Sequence, residues 1–303
     1  MRWVVGSNRG LVGSDGEAWL VGREITSLSW DGGGWLVLIA GSEVARAHGD
    51  EVDPLGEVLE ATGRCVLPVG DGAALVGTAN ARLALVRDGA ATMLERFDAA
   101  DGRDTWYTPW GGPPDTRSLT RSADGRFFAN VHVGGILRAA DPEGSWTPTI
   151  DIDADVHQVL ADPIDGTHLV AATARGLAES TDAGDSWRFV TDGLHAPYAR
   201  AVALDGDRLF LSASTGPRGG RAAVYRRDPG GEAFTRCDGS LPEWFAGNID
   251  THRLAAGGGT ALFATDEGDA FLSEDGGDSW RRILEGHARV TSVGVAASEG
   301  PGP

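Results

Sequence analysis

Lysine is absent from the 303 residues, so all 26 cations are arginine, and they face 44 carboxylates for a formal net charge of −18. That balance argues against nucleic acid or an anionic membrane as the main partner, because a basic surface holds both. Cysteine is nearly missing. Cys65 and Cys237 stand far apart, which argues against a disulfide framework and suits a reducing cytoplasm. The opening MRWVVGSNRG lacks the apolar run and cleavage site of a signal peptide, and no stretch approaches the length of a membrane span. A cytoplasmic protein is expected.

Present instead are 45 glycines and many short apolar runs broken by Gly/Asp turns, the pattern of strands and tight turns. Seven segments share one plan. The opening strands read ITSLSW (25–30), RCVLPV (64–69), TRSLTR (116–121), VHQVLA (156–161), ARAVAL (199–204), THRLAA (251–256) and VTSVGV (290–295). A strongly apolar second strand follows each, except that the partner of the last is RWVVGS at residues 2–7. The N-terminus must therefore complete the blade that the C-terminus begins, closing a ring and removing the open edge. One position repeats through Thr26, Arg64, Arg117, His157, Arg200, His252 and Thr291, in steps of 38, 53, 40, 43, 52 and 39 residues. The expected fold is all-β, a seven-bladed β-propeller spanning 1–296 as a single domain, with 297–303 a flexible tail.

Residues 180–187 (STDAGDSW) and 273–280 (SEDGGDSW) share the frame Ser-x-Asp-x-Gly-x-Ser-Trp, and 139–146 (AADPEGSW) is a worn copy. An Asp can accept backbone N–H groups in a tight turn, a Gly takes a conformation other residues avoid, and a Trp packs between strands. The frame resembles the Asp-box, or bacterial neuraminidase repeat, of sialidase-like propellers. The resemblance implies that the box is a part of the fold, placed after the third strand and away from the ligand face, with Trp187 and Trp280 buried.

The resemblance also places ligands at the loops leading into each first strand and those joining second to third strands. Two lead-ins are long and aromatic: 104–117 with Trp106, Tyr107 and Trp110, and 241–252 with Trp244 and Phe245. Loops of that kind are often functional. Asp115-Thr-Arg117, Asp155-Val-His157 and Asp250-Thr-His252 echo one another, with Tyr198-Ala-Arg200 as a variant. Residues two apart on a strand share a face, so each set offers a carboxylate and a cation at the mouth. Arg64, Arg117, Arg200, His157 and His252 then converge, and guanidinium forks suit a carboxylate or phosphate. Alternatively, each Asp pairs its own Arg or His and orders the loop. Asn130 and His132 join the rim from NVHVGGI (130–136), and Ser214 from 212–220, whereas His48, His168 and His287 read as turn or surface positions. No tight His-x-His or cysteine pair points to a metal, so none is assigned, although His132, His157 and His252 with Asp155 or Asp250 offer the donor types. No cofactor is indicated.

Sialidase chemistry needs an arginine triad, a Tyr–Glu pair and an acid Asp. Arg64, Arg117 and Arg200 could form the triad, but the Arg-Ile-Pro signature is missing and Tyr107 and Tyr198 have no evident Glu partner. The expected function is binding of a small polar or anionic ligand at the mouth, with hydrolase or lyase chemistry through His157, His132 or Tyr198 left open. The alternative is a non-catalytic scaffold that takes a protein partner on its rim. Fold alone does not choose between them.

Overall fold

Seven four-stranded antiparallel sheets form the ring, and the computed structural model describes residues 3–70 and 72–296. The first blade comprises Ile25–Trp30, Trp35–Ile39, Glu43–His48 and Glu51–Glu57, and the second begins at Gly63–Gly70. The third opens on Thr116–Arg121, the fourth on Val156–Ala161, the fifth on Tyr198–Asp205 and the sixth on Leu254–Gly257. The seventh is composite: Val290–Val295 pairs antiparallel with Trp3–Ser7, which continues into Gly10–Gly13 and Ala18–Trp19. The ring is thus closed by the N-terminal strand. The expected tail at 297–303 lies outside the described residues. Among the described residues no helix is long and apolar enough to cross a membrane.

Second strands such as Trp35–Ile39, Phe127–Val131 and Leu169–Thr173 are buried along their whole length. A neighbouring blade covers each of their faces, so they read as continuous apolar runs rather than alternating ones. The closing strand shows the geometry: Val4 packs with Ile25, Leu28 and Trp35 on one side, and Val5 with Leu262, Leu272 and Val293 on the other.

The Ser-x-Asp-x-Gly-x-Ser-Trp segments are turns between third and fourth strands. The Ser186 amide donates to Asp182 Oδ1 at 2.8 Å and the Gly184 amide to Ser180 Oγ at 2.8 Å; Ser279 and Gly277 repeat both bonds on Asp275 and Ser273. Gly184 and Gly277 sit at φ 91°, where a side chain is strained. A clasp not foreseen from the sequence recurs at each turn. An arginine from the third strand of the preceding blade reaches it: Arg138 to Asp185 at 2.7 Å, Arg226 to Asp278, and Arg87 to Glu143 at 3.7 Å. The Trp expectation needs one correction. Trp280 and the worn copy's Trp146 are 5% and 2% exposed, whereas Trp187 is only half-buried. Cys65 and Cys237 are free and buried, and burial pushes both thiols up to about 12.

His168 is not a simple surface residue. It lies between Asp162 and Glu179, with 3.1 Å from each ring nitrogen to a carboxylate oxygen, and Glu179 also receives Arg188 and two bonds from Arg227 in the next blade. The bond to Glu179, partly opposed by burial, raises the His168 pKa. A raised folded-state value means that its stabilisation is complete below the unfolded-state value and fades as pH rises through the folded one. The stability difference between wild type and His168→Gln should therefore be larger at pH 5.5 than at pH 9 in urea titrations. An equal difference at both would show that the imidazolium contributes nothing.

Candidate functional site

The repeated position has a structural cause. In six blades the ladder between first and second strand slips by one residue, and the extra residue falls at Thr26, Arg64, Arg117, His157, Thr291 and, with Ala201, Arg200. A bulged residue is left unpaired and its side chain is re-aimed. The bulges carry these side chains around the central channel, which explains why one position differs from its strand neighbours in those six blades.

The sixth blade departs from this plan. Its first strand begins at Leu254, not at 251, and Asp250 to Arg253 form a turn that fills the channel centre. Thr251 Oγ1 donates to the carbonyls of His157 and Arg200, and His252, at φ 66°, places Nε2 2.8 Å from the Arg117 carbonyl. A carbonyl only accepts, so Nε2 carries the proton and that ring ties the plug across the channel.

Beside the plug opens a cavity of about 410 Å³ lined by Arg64, Asp115, Arg117, Asp250, His252 and Arg289 among others. Asp115 and Asp250 each serve the cation of the preceding blade, correcting the expected Asp115–Arg117 and Asp250–His252 pairings, while Asp155 keeps its own His157. Asp115 takes Arg64 at 3.1 Å and Asp250 takes Arg200 at 2.9 Å. By that rule Asp155 should take Arg117. It turns instead to His132 at 3.3 Å and His157 at 3.7 Å. Arg117 is thereby left with no side-chain hydrogen bond or ion pair among the described residues, and burial, then the neighbouring Arg200, pull its pKa down.

His132 and His157 are 4% and 0% exposed. His157 Nδ1 stands 2.6 Å from the Ala199 carbonyl and must donate to it, so Nε2 carries the lone pair in the neutral ring. The Tyr198 hydroxyl lies 3.2 Å from that nitrogen, and Arg200 lies 3.3 Å from the same hydroxyl. Burial, reinforced by Arg200, pushes His157 down to about 3. Trp110, largely exposed, covers His132 with ring centroids 5.1 Å apart.

Other expected site residues stand elsewhere. Trp244 does not line the cavity; Arg221 and Arg236 hold it, with cation–ring distances of 4.6 and 4.9 Å, beside His195. Phe245 is core, packed edge-on against Phe263 and Phe271. Ser214 is buried and bonded to Asn248. Asn130 is fully buried with neither amide atom hydrogen-bonded. The Tyr198 hydroxyl contacts an imidazole and a guanidinium rather than a Glu. Sequence reasoning missed Arg289, whose only available signal was its place two residues before Thr291; it grouped His132 and His157 with Asp155 or Asp250 by donor type, and the structure brings Asp155 to both rings while His252 and Asp250 stand apart.

No protein-family model and no curated protein matches the chain. Solved structures do. An ancestral GH74 enzyme superposes with a TM-score of 0.62 at 13% identity, over 86% of this chain but only 38% of that one. Virginiamycin B lyase from Staphylococcus aureus gives 0.61 at 13% identity, covering 98% of this chain and 93% of that chain. The extracellular domain of BT4673 from B. thetaiotaomicron gives 0.59 at 13% identity, over 88% of this chain and 34% of the other. These likenesses show the propeller fold. They also overturn the cytoplasmic placement: the same shape serves as an extracellular domain, so two buried unpaired cysteines do not mark a compartment.

Proposed function

We propose that the protein is an Asp-box propeller that binds a small anionic ligand, a carboxylate or phosphate, in the cavity at the channel mouth. The observation that carries the reading is Arg117. Its guanidinium is half-buried, has no protein partner among the described residues and reaches the solvent of the cavity, so its fork is open to two anion oxygens, and the same cavity holds Arg64 and Arg289. In this reading Arg117 grips the anion with its planar fork, Asp115 and Asp250 hold Arg64 and Arg200 in position, and the His252 ring forms the floor. The neighbouring wall of His132, His157 and Tyr198 is where hydrolase or lyase chemistry would draw an acid or base. The wider fold serves glycoside hydrolases and lyases as well as binding domains, so catalysis rests on this chain's own site.

Calorimetric titration with small dicarboxylates and sugar phosphates tests the proposal. The best ligand should bind about 10–100-fold more weakly to Arg117→Lys, which loses the bidentate fork while keeping the charge. Affinity should also fall as salt rises. The melting temperature of the variant should stay close to wild type. A ligand panel with no binder, or unchanged affinity in Arg117→Lys, would remove the anion site.

A further inference from the structure

We propose that His132, Asp155 and His157 form a binding site for one divalent transition-metal ion of the zinc class. This goes beyond the anion reading and uses residues that do not line the anion cavity. The three ligand atoms lie within 4.8 Å of one another. The carboxylate oxygens stand 3.3 Å from His132 Nε2 and 3.7 Å from His157 Nε2. Zinc bonds of ~2.0–2.1 Å in tetrahedral arrangement set neighbouring ligands roughly 3.3–3.4 Å apart; the 3.3 Å contact is made by Asp155 Oδ1 and the 3.7 Å contact by Oδ2, so the carboxylate turns and the cluster, within 4.8 Å overall, draws in to hold one ion.

The surroundings select the donor atoms. The Ala199 carbonyl holds the proton of His157 on Nδ1 and leaves Nε2 aimed at Asp155. A backbone carbonyl on the outer nitrogen is the usual orienting partner of a metal-bound imidazole. Among the described residues Asp155 Oδ1 is buried and makes no aligned hydrogen bond; His132 Nε2 stands 3.3 Å away, in ion-pair range but poorly directed. An unsatisfied carboxylate oxygen between two imidazoles is costly unless a cation or a donor completes it.

Two imidazoles and one carboxylate suit zinc or a neighbouring first-row ion better than magnesium or calcium, which favour oxygen. Three protein ligands leave a position open, as catalytic rather than structural zinc sites do. The nearby charges shape that position. Arg200 is engaged by Asp250, but Arg117 is free, and its positive charge disfavours a bare dication. It favours a dication that carries hydroxide or an anion on its open side. Metal binding also displaces the Tyr198 hydroxyl from His157 Nε2.

The test is titration of the whole chain, stripped with chelator and desalted, with zinc chloride and separately with cobalt chloride. One ion per chain should bind, the melting temperature should rise with added zinc, and the cobalt form should show visible absorption of low coordination number. Asp155→Asn and His132→Gln should each weaken zinc at least about 100-fold, while His48→Gln, at an exposed position outside the cluster, should bind like wild type. Absence of binding and of any thermal shift in the native chain at millimolar zinc overturns the proposal directly, whatever the variants do. Undiminished binding in folded Asp155→Asn and His132→Gln also overturns it, by placing the ion elsewhere. Neither outcome bears on anion binding by Arg117, which is measured with chelator present.

Discussion

A chain lacking residues 2–7 is expected to lose the closed ring and its cooperative melting transition. The strand Trp3–Ser7 pairs with Val290–Val295 on one edge and with Gly10–Gly13 on the other, so its removal strips two ladders. It also takes away Val4 and Val5, each fully buried and each facing a different neighbouring blade. Burial of two such side chains contributes ~3–6 kcal/mol, a large share of the ~5–15 kcal/mol that holds a typical domain together. Val5→Asp tests the same strand without shortening the chain, by placing an unpaired carboxylate between the seventh and sixth blades. Ile164→Ser, at a side chain 83% exposed, is the comparison and should change stability by less than about 0.5 kcal/mol. Calorimetric melts decide. A truncated chain that melts within a few degrees of the intact one would mean that closure by the N-terminus is not what holds the ring.

Replacing Trp280 by alanine is expected to cost ~3–5 kcal/mol, the range for emptying a large aromatic site in a core. Its ring meets Phe263 at 5.1 Å and Phe210 at 6.4 Å, both edge-on, and its Nε1 donates to the Gly277 carbonyl at 3.2 Å. Phe210 belongs to the fifth blade and Phe263 to the sixth, so the tryptophan joins two sheets. Trp187→Ala should cost clearly less, roughly 1–3 kcal/mol, because that ring is half-buried and its Nε1 finds no partner. Urea titration of both variants separates them. A Trp187 loss equal to or greater than that of Trp280 would contradict the burial argument. Ligand affinity should be unchanged in either, since turns between third and fourth strands open on the side of the ring opposite the mouth.

The seven blades were legible because their strands are written locally. ITSLSW, TRSLTR and VHQVLA are short β-rich runs bounded by turn residues, and their repetition outweighs the ambiguity of any one of them. The THRLAA segment shows the limit. Thr251 and His252 match the repeat in sequence, yet they leave the strand and bond to carbonyls of the third, fourth and fifth blades. Trp244 fails for a related reason: an aromatic in a long lead-in loop reads as a mouth residue, while Arg221 and Arg236 are free to capture it on the flank.

The amino-acid sequence alone determined the strand plan, the closure of residues 2–7 onto 290–295, the structural place of the Asp-containing turns and the repeated position that rings the channel. Hydrophobic periodicity and turn chemistry act within one repeat of some forty residues, and self-similarity between repeats carries the pattern round the chain until the N-terminal strand is the only partner left for 290–295. Only the tertiary structure decided which carboxylate answers which cation. Asp115 with Arg64, Asp250 with Arg200, and Asp155 with His132 all cross from one blade to its neighbour, over 51, 50 and 23 residues of chain, and the bulges that aim the cations are properties of a formed ladder. Ion pairing depends on distances of a few ångströms between side chains that local sequence leaves independent. The unpaired Arg117 and the cluster of His132, Asp155 and His157 therefore emerge together, from a single carboxylate turned toward two imidazoles instead of a guanidinium.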